Sequence, residues 1–316
     1  MKAKSSFFLM AGLGISLLLS SCGGNSGQKE LDTPTAGTIK VGIDDSYRLL
    51  LEAEIYTFES LYTRAHIQPV YKNEVDVIND FINDSMPLII VNRKLTEKQE
   101  KYLNSIQYIP RTTLIAQDAL ALIVNRENKD TTFFYEQVKE ILKGKITNWK
   151  QLNPKSGLTD IKVVFDNFKS GNPRYFKEKF EIDSFPSNCF AVLDNAEVIA
   201  YVEKNKGALG IISVNWISDP KDTISHGFLQ RIKVAGIAIE GDNDPGTRFY
   251  RPFPGYIAEG SYPFCRSVYC INRQPYTGMA YGFSSFIAGE KGQMIVLHSG
   301  LVPAAMPVRL VEIKKQ

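Results

Sequence analysis

Downstream of residue 37, short apolar runs alternate with longer segments in which apolar residues return every three or four positions. The first kind predicts strands at Thr38–Ile43, Ile67–Val70, Leu88–Val91, Ala119–Asn125, Val163–Phe165, Ala208–Ser213 and Val268–Asn272. The second predicts helices at Tyr47–Arg64, Asn73–Asn83, Thr96–Asn104, Phe133–Lys143, Asn172–Phe180, Asn195–Asn205 and Thr277–Leu297. Strand-then-helix alternation predicts an α/β protein built on mixed, mostly parallel sheets with helices on both faces. Ligands of such sheets sit beyond the carboxyl ends of strands, where loops run into helix N-termini with free N–H groups. Three loops meet that description: Asp44-Asp45-Ser46-Tyr47, Asn92-Arg93-Lys94, and Asn167 to Asn172.

The N-terminus follows a different pattern. Lys2 and Lys4 precede an apolar run from Phe7 to Leu19, about 13 residues and roughly 20 Å as a helix, too short to span a bilayer and long enough for an export signal. Leu19-Ser20-Ser21-Cys22 resembles the lipobox of bacterial lipoproteins, in which the cysteine is acylated and becomes the new N-terminus. This predicts a signal peptide at 1–21, lipidation at Cys22 and a flexible Gly-, Ser- and Pro-rich tether at 22–37. The protein is then held in the cell envelope, on a bacterial membrane, facing the periplasm or the surface.

Composition narrows the functional classes. The formal charge of +3 falls to +1 once Lys2 and Lys4 leave with the signal, so no polyanion-binding face is indicated and no nucleic-acid partner is expected. Cys189, Cys265 and Cys270 are odd in number, so at least one is a free thiol, and Cys265 and Cys270 would point to opposite faces of an extended segment. His66, His226 and His298 form no metal-ligand pair, and Asp242 to Gly246 reads as a turn because Phe253 stands where a calcium loop has glutamate. There is no Gly-x-Ser-x-Gly elbow and no phosphate-cradling Gly-x-x-x-x-Gly-Lys-Ser/Thr loop, so neither catalysis nor a cofactor or metal is predicted.

Ala119 to Asn125, followed by Val138 to Leu152 with its Gly-Lys-Ile-Thr-Asn-Trp turn, resembles the signature of the phosphate-binding proteins of ABC transporters. Further segments fit the same family in order. They are Ser170-Gly171 with Phe176, Gly207-Ala208-Leu209-Gly210, Gly260-Ser261-Tyr262-Pro263 with Arg266 and Tyr269, Gly292-Gln293, and Gly300 to Pro303. The resemblance implies the type II periplasmic-binding fold, with two lobes joined by two crossover segments. Lobe one would comprise 38–117 and 268–316, and lobe two 118–267. It implies a monomeric solute receptor that holds phosphate or a related small oxyanion between its lobes and passes it to a membrane permease.

Carried over position by position, the resemblance implies ligand contacts from Ser46, Tyr47, Asn92, Arg93, Ser170, Gly171 and Asn172. Ser46 and Asn172 also suit plain helix capping, and Trp149 and Trp216 are expected in the core. Three departures touch the ligand. Asp166 stands where the family has a loop arginine, Asn92 where some members have an acid, and Glu74, beside Asn73, near a family serine. Glu74 and Asp166 are expected as solvated loop charges. Were both to line the cleft, an anion would meet repulsion of about 4 kcal/mol per charge at 4 Å unless Arg93, Lys169 and Arg174 restored the balance. The alternative is an envelope lipoprotein with a cationic, zwitterionic or hydroxylated ligand, or an accessory role without transport.

Overall fold

The computed structural model of the protein describes residues 32–217, 223–244 and 246–305. The predicted signal, Cys22 and the tether up to residue 31 lie outside the described residues.

Strand β1, Ala36–Asp44, has its second half buried on both faces, with Val41 and Ile43 inaccessible, and so requires cover from both sides. It runs parallel to β2, Arg64–Lys72, and to β3, Leu88–Val91. Helix α1, Arg48–Leu61, turns Leu50, Leu51, Ile55 and Phe58 inward over this sheet. Helix α2, Glu74–Ile82, starts where the Asn73 side chain accepts the Asp76 N–H and covers the sheet with Val77, Ile78 and Phe81. Thr96 opens the helix Glu97–Ser105 with a capping box closed by Gln99, which satisfies two otherwise free N–H groups.

The sheet continues from β3 to the strand Cys265–Asn272, then β4, Arg111–Asn125, then Ala208–Ser213, Lys162–Phe165 and Cys189–Ala191. Both ends of this order are parallel, and the middle is antiparallel where Cys265–Asn272 lies between β3 and β4. The result is two lobes, whose two largest hydrophobic clusters are separate, with a smaller third around Val77, Phe81 and Leu103. One of the two large clusters gathers Val41, Ile43, Leu50, Phe58 and Phe283 with Ile115 and Ala116 of β4. The other gathers Leu120 to Val124 of the same strand with Trp149, Phe176, Ile211 and Phe264. β4 and its partner Cys265–Asn272 thus cross from one lobe to the other.

Two expected elements differ in the structure. β4 begins at Arg111, eight residues before Ala119, because Arg111, Thr112 and Thr113 pair with Asn272, Ile271 and Cys270. Pairing rather than hydrophobicity makes that stretch a strand. The single helix expected over Thr277–Leu297 is two, Met279–Ala288 and Glu290–His298, broken at Gly289. The second presses Gly292 against the end of the first, where a Cβ would lie 2.5 Å from Ile287 Cα.

Among the described residues, no helix is long and apolar enough to cross a membrane. Cys189, Cys265 and Cys270 are free thiols, and burial pushes each up to about 12, which keeps them protonated and unreactive.

Candidate functional site

The site lies where the loops at the carboxyl ends of the strands of both lobes meet. At the end of β1, Asp44 Oδ1 accepts the Ser46 N–H at 3.0 Å and starts a 3₁₀ turn over Asp45–Tyr47 that leads into α1. The turn buries Ser46 and Tyr47 completely. The Ser46 carbonyl accepts hydrogen bonds from Trp216 Nε1 at 3.1 Å and Asn215 Nδ2 at 3.3 Å, both from the other lobe. Past β3, Asn92 Nδ2 donates to Asp44 Oδ2 at 2.9 Å.

Lobe two supplies the loop after Lys162–Phe165. Ser170 caps the helix Gly171–Phe180, its Oγ accepting the Asn172 N–H at 3.2 Å and donating to Asp166 Oδ1 at 2.7 Å. Asn195 donates from Nδ2 to Asp166 Oδ2 at 3.4 Å and accepts Asn172 Nδ2 at 3.3 Å. The helix start meets lobe one at Gly171, where a Cβ would stand 2.0 Å from Asn92 Nδ2. Only glycine admits this approach.

Across the middle of the sheet, Arg266 sits directly opposite Asp118 in the antiparallel register. Arg266 Nε donates to Asp118 Oδ2 at 2.8 Å, Ser213 Oγ donates to Asp118 Oδ1 at 3.0 Å, and Tyr47 OH donates to Asp118 Oδ2 at 3.2 Å. Nη2 lies 2.8 Å from the same carboxylate without aiming a hydrogen at it, and Nη1 has no acceptor. The Ser46 hydroxyl, also buried, has no partner. Buried donors without acceptors are costly unless a ligand supplies the acceptors. A guanidinium and a hydroxyl with hydrogens to spare suit an oxyanion, and Asn172 Oδ1 and Asn215 Oδ1, buried acceptors without partners, suit one that still carries a proton.

Electrostatics at this point depend on pH. Burial first, and Glu74 second, push Asp44 up to about 7, opposed by Arg266. Burial pushes Asp166 up to about 6, with the Ser170 hydrogen bond partly offsetting it. Both carboxyls therefore exchange a proton close to neutrality, and in the protonated form neither repels an anion.

The expectation of solvated charges at Glu74 and Asp166 is overturned, since they are 1% and 3% exposed. Asp166 is held by Ser170, four residues on, and by Asn195, whereas the Glu74 partners come from other segments of the chain. Arg174 Nε reaches Glu74 Oε1 at 2.5 Å, its Nη2 reaches Oε2 at 3.1 Å, and Arg93 Nε lies 3.5 Å from Oε1. Lys169 instead stays largely in solvent beside Asp76, at 3.6 Å. Ser46, Tyr47, Asn92, Ser170, Gly171 and Asn172 converge, and Arg93 stands at the margin. Asp44 belongs to a loop expected to face a ligand, whereas Arg266, Asp118, Asn195 and Ser213 were not expected there. A signal for two of them was present, since Arg266 and Asp118 are charges in the interior of mostly apolar strands, and charges so placed need each other or a ligand.

The profile of the PBP superfamily domain matches residues 29–291. The phosphate-binding protein PstS of Staphylococcus saprophyticus is 25% identical over 289 residues, covering 90% of this chain and 84% of that protein. PstS of Staphylococcus aureus is 22% identical over 285 residues, covering 89% and 83%. Among solved structures, a putative phosphate ABC transporter substrate-binding protein with bound phosphate from Clostridium perfringens superposes with a TM-score of 0.70 at 21% identity, over 85% of this chain and 100% of that one. An ABC-type phosphate transport receptor from Vibrio cholerae gives 0.63 at 20% identity, over 84% and 100%.

Proposed function

The chain belongs to the PBP superfamily, and from that membership we propose that it is the substrate-binding protein of an ABC-type phosphate uptake system, closing its two lobes on inorganic phosphate. The observation that carries the ligand class is the pair of unspent donors at the lobe interface, the Arg266 guanidinium and the Ser46 hydroxyl. The backbone and hydroxyls at Ser170, Gly171 and Asn172 complete the candidate contacts, with Tyr47 and Asn92 as walls. A cationic ligand is disfavoured, because Glu74 is already ion-paired with Arg174 and Arg93, and the Asp166 oxygens already accept hydrogen bonds from Ser170 and Asn195.

The remaining parts of the reading rest on sequence and on the relatives. Cys22 is the proposed acylation site, which holds a monomeric receptor on the membrane through the tether. The partner is a membrane permease, and the role is capture and delivery rather than catalysis. Calorimetric titration tests the central claim. Phosphate binding with a dissociation constant of about 1 μM or lower, abolished in Arg266→Gln, is the expected result. Absence of both heat and a melting-temperature shift at millimolar phosphate would refute it.

A further inference from the structure

We propose that Glu74 and Arg174 form a clasp between the lobes that holds the cleft shut and sets the rate at which ligand leaves. The inference rests on the reading of the site as a solute cleft, but not on which anion fills it. Glu74 opens helix α2 of lobe one, and Arg174 lies in the first turn of the helix Gly171–Phe180 of lobe two. Their contact is bidentate, at 2.5 and 3.1 Å, with Glu74 almost wholly buried. A fork of two parallel N–H bonds onto one carboxylate is both strong and directional. Because Glu74 is buried, separating it from Arg174 would leave an uncompensated buried charge, which costs more than parting an exposed pair.

Two further contacts run along the same seam. The Val75 N–H donates to the Lys169 carbonyl at 3.3 Å, and Lys169 Nζ lies 3.6 Å from Asp76. The start of α2 is thus stitched to the loop that presents Ser170. Opening the lobes would break all of these together and expose Glu74 with its charge.

The clasp is wired to the anion pocket. Arg174 Nη2 also donates to Asn92 Oδ1, while Asn92 Nδ2 donates to Asp44 Oδ2, and Asp44 Oδ1 holds the Ser46 N–H. One amide side chain therefore joins the carboxylate beside the ligand site to the arginine of the clasp. Asn92 fits this place because it donates at one end and accepts at the other, which aspartate does not do. An anion that fixes the Ser46 turn fixes Asp44 and Asn92, and through them orients Arg174 toward Glu74.

The test combines kinetics with solution scattering on the full chain. In Glu74→Gln and in Arg174→Gln, phosphate dissociation measured by stopped flow should quicken about tenfold while association changes little, since such contacts act mainly on release. Small-angle scattering of the ligand-free variants should give a larger radius of gyration than the wild type. The charge-swapped double variant Glu74→Arg with Arg174→Glu should recover part of both effects, which separates a clasp from general loss of structure. A dissociation rate unchanged in both single variants overturns the proposal. Should the wild type bind no phosphate, the functional reading fails by itself, and ligand-free scattering decides the clasp: an unchanged radius in both variants overturns it.

Discussion

Ser46 gives the sharpest separation between stability and binding. Its hydroxyl is buried without a partner, so Ser46→Ala removes no bond from the ligand-free protein, relieves an unsatisfied buried group and should raise the melting temperature slightly. The same change removes a hydrogen bond to a charged ligand, and calorimetry should report affinity weaker by about tenfold. Asp44 has a different signature. Its carboxyl is raised to about 7, so raising the pH from 6 to 8 adds a negative charge beside the anion site. Affinity is expected to be highest below about pH 6 and to decline through about pH 7 to 8. When titrations are compared across that range, Asp44→Asn should remove the part of the decline that the ionisation of phosphate itself does not cause. At this scale the sequence is only partly legible. Ser46, Ser170 and Gly171 are visible because they stand at loop-to-helix junctions, although Ser46 and Ser170 equally suit plain helix capping. The burial of Glu74 and Asp166 is not, because a loop carboxylate looks the same whether its partner is water or an arginine 100 residues away.

At the scale of elements, helix α1 carries a group that the site does not use. Glu54 faces inward between Leu50 and Phe58, both its oxygens lack partners, and burial pushes it up to about 9 from 4.5. An acid raised in this way binds its proton more tightly when folded. Its stabilising effect is complete below about pH 4.5 and is lost as pH rises toward 9, by at most about 1.4 kcal/mol per pH unit. Asp44 and Asp166 act in the same direction but are finished by about 7 and 6. Between pH 7 and 9 the wild-type melting temperature should therefore fall, and Glu54→Gln should remove most of that fall. The helix Gly171–Phe180 offers a steric test. Gly171→Ala forces a Cβ to within 2.0 Å of Asn92, so the lobes cannot meet there. Phosphate affinity should drop by about a hundredfold or more, while circular dichroism still reports folded lobes. Most helices and strands were readable from periodicity, which reflects burial on one or both faces. The front half of β4 was not, since Arg111, Thr112 and Thr113 become strand only through pairing with Cys265–Asn272. Nor was the break at Gly289, where the second helix packs Gly292 against the end of the first.

At the scale of the molecule, the two cores are not independent. β4 places Ile115 and Ala116 in one and Leu120 to Val124 in the other, and its partner Cys265–Asn272 runs beside it with Arg266 and Asp118 paired where the cores meet. Unfolding either lobe would strip one edge from both crossing strands and expose that buried ion pair to an unbalanced surrounding, which costs several kcal/mol when one charge is left alone. Thermal unfolding should therefore be a single transition, despite two lobes. Because the ligand site borrows from both sides of the crossing, phosphate should shift that transition as a whole. At a hundredfold excess over the dissociation constant the added stability is about 2.7 kcal/mol. Scanning calorimetry with and without phosphate checks both points. Two transitions, or a shift confined to one of them, would mean that the crossing strands join the lobes without coupling them, and closure would then have to be carried by the seam around Glu74 and Arg174 alone.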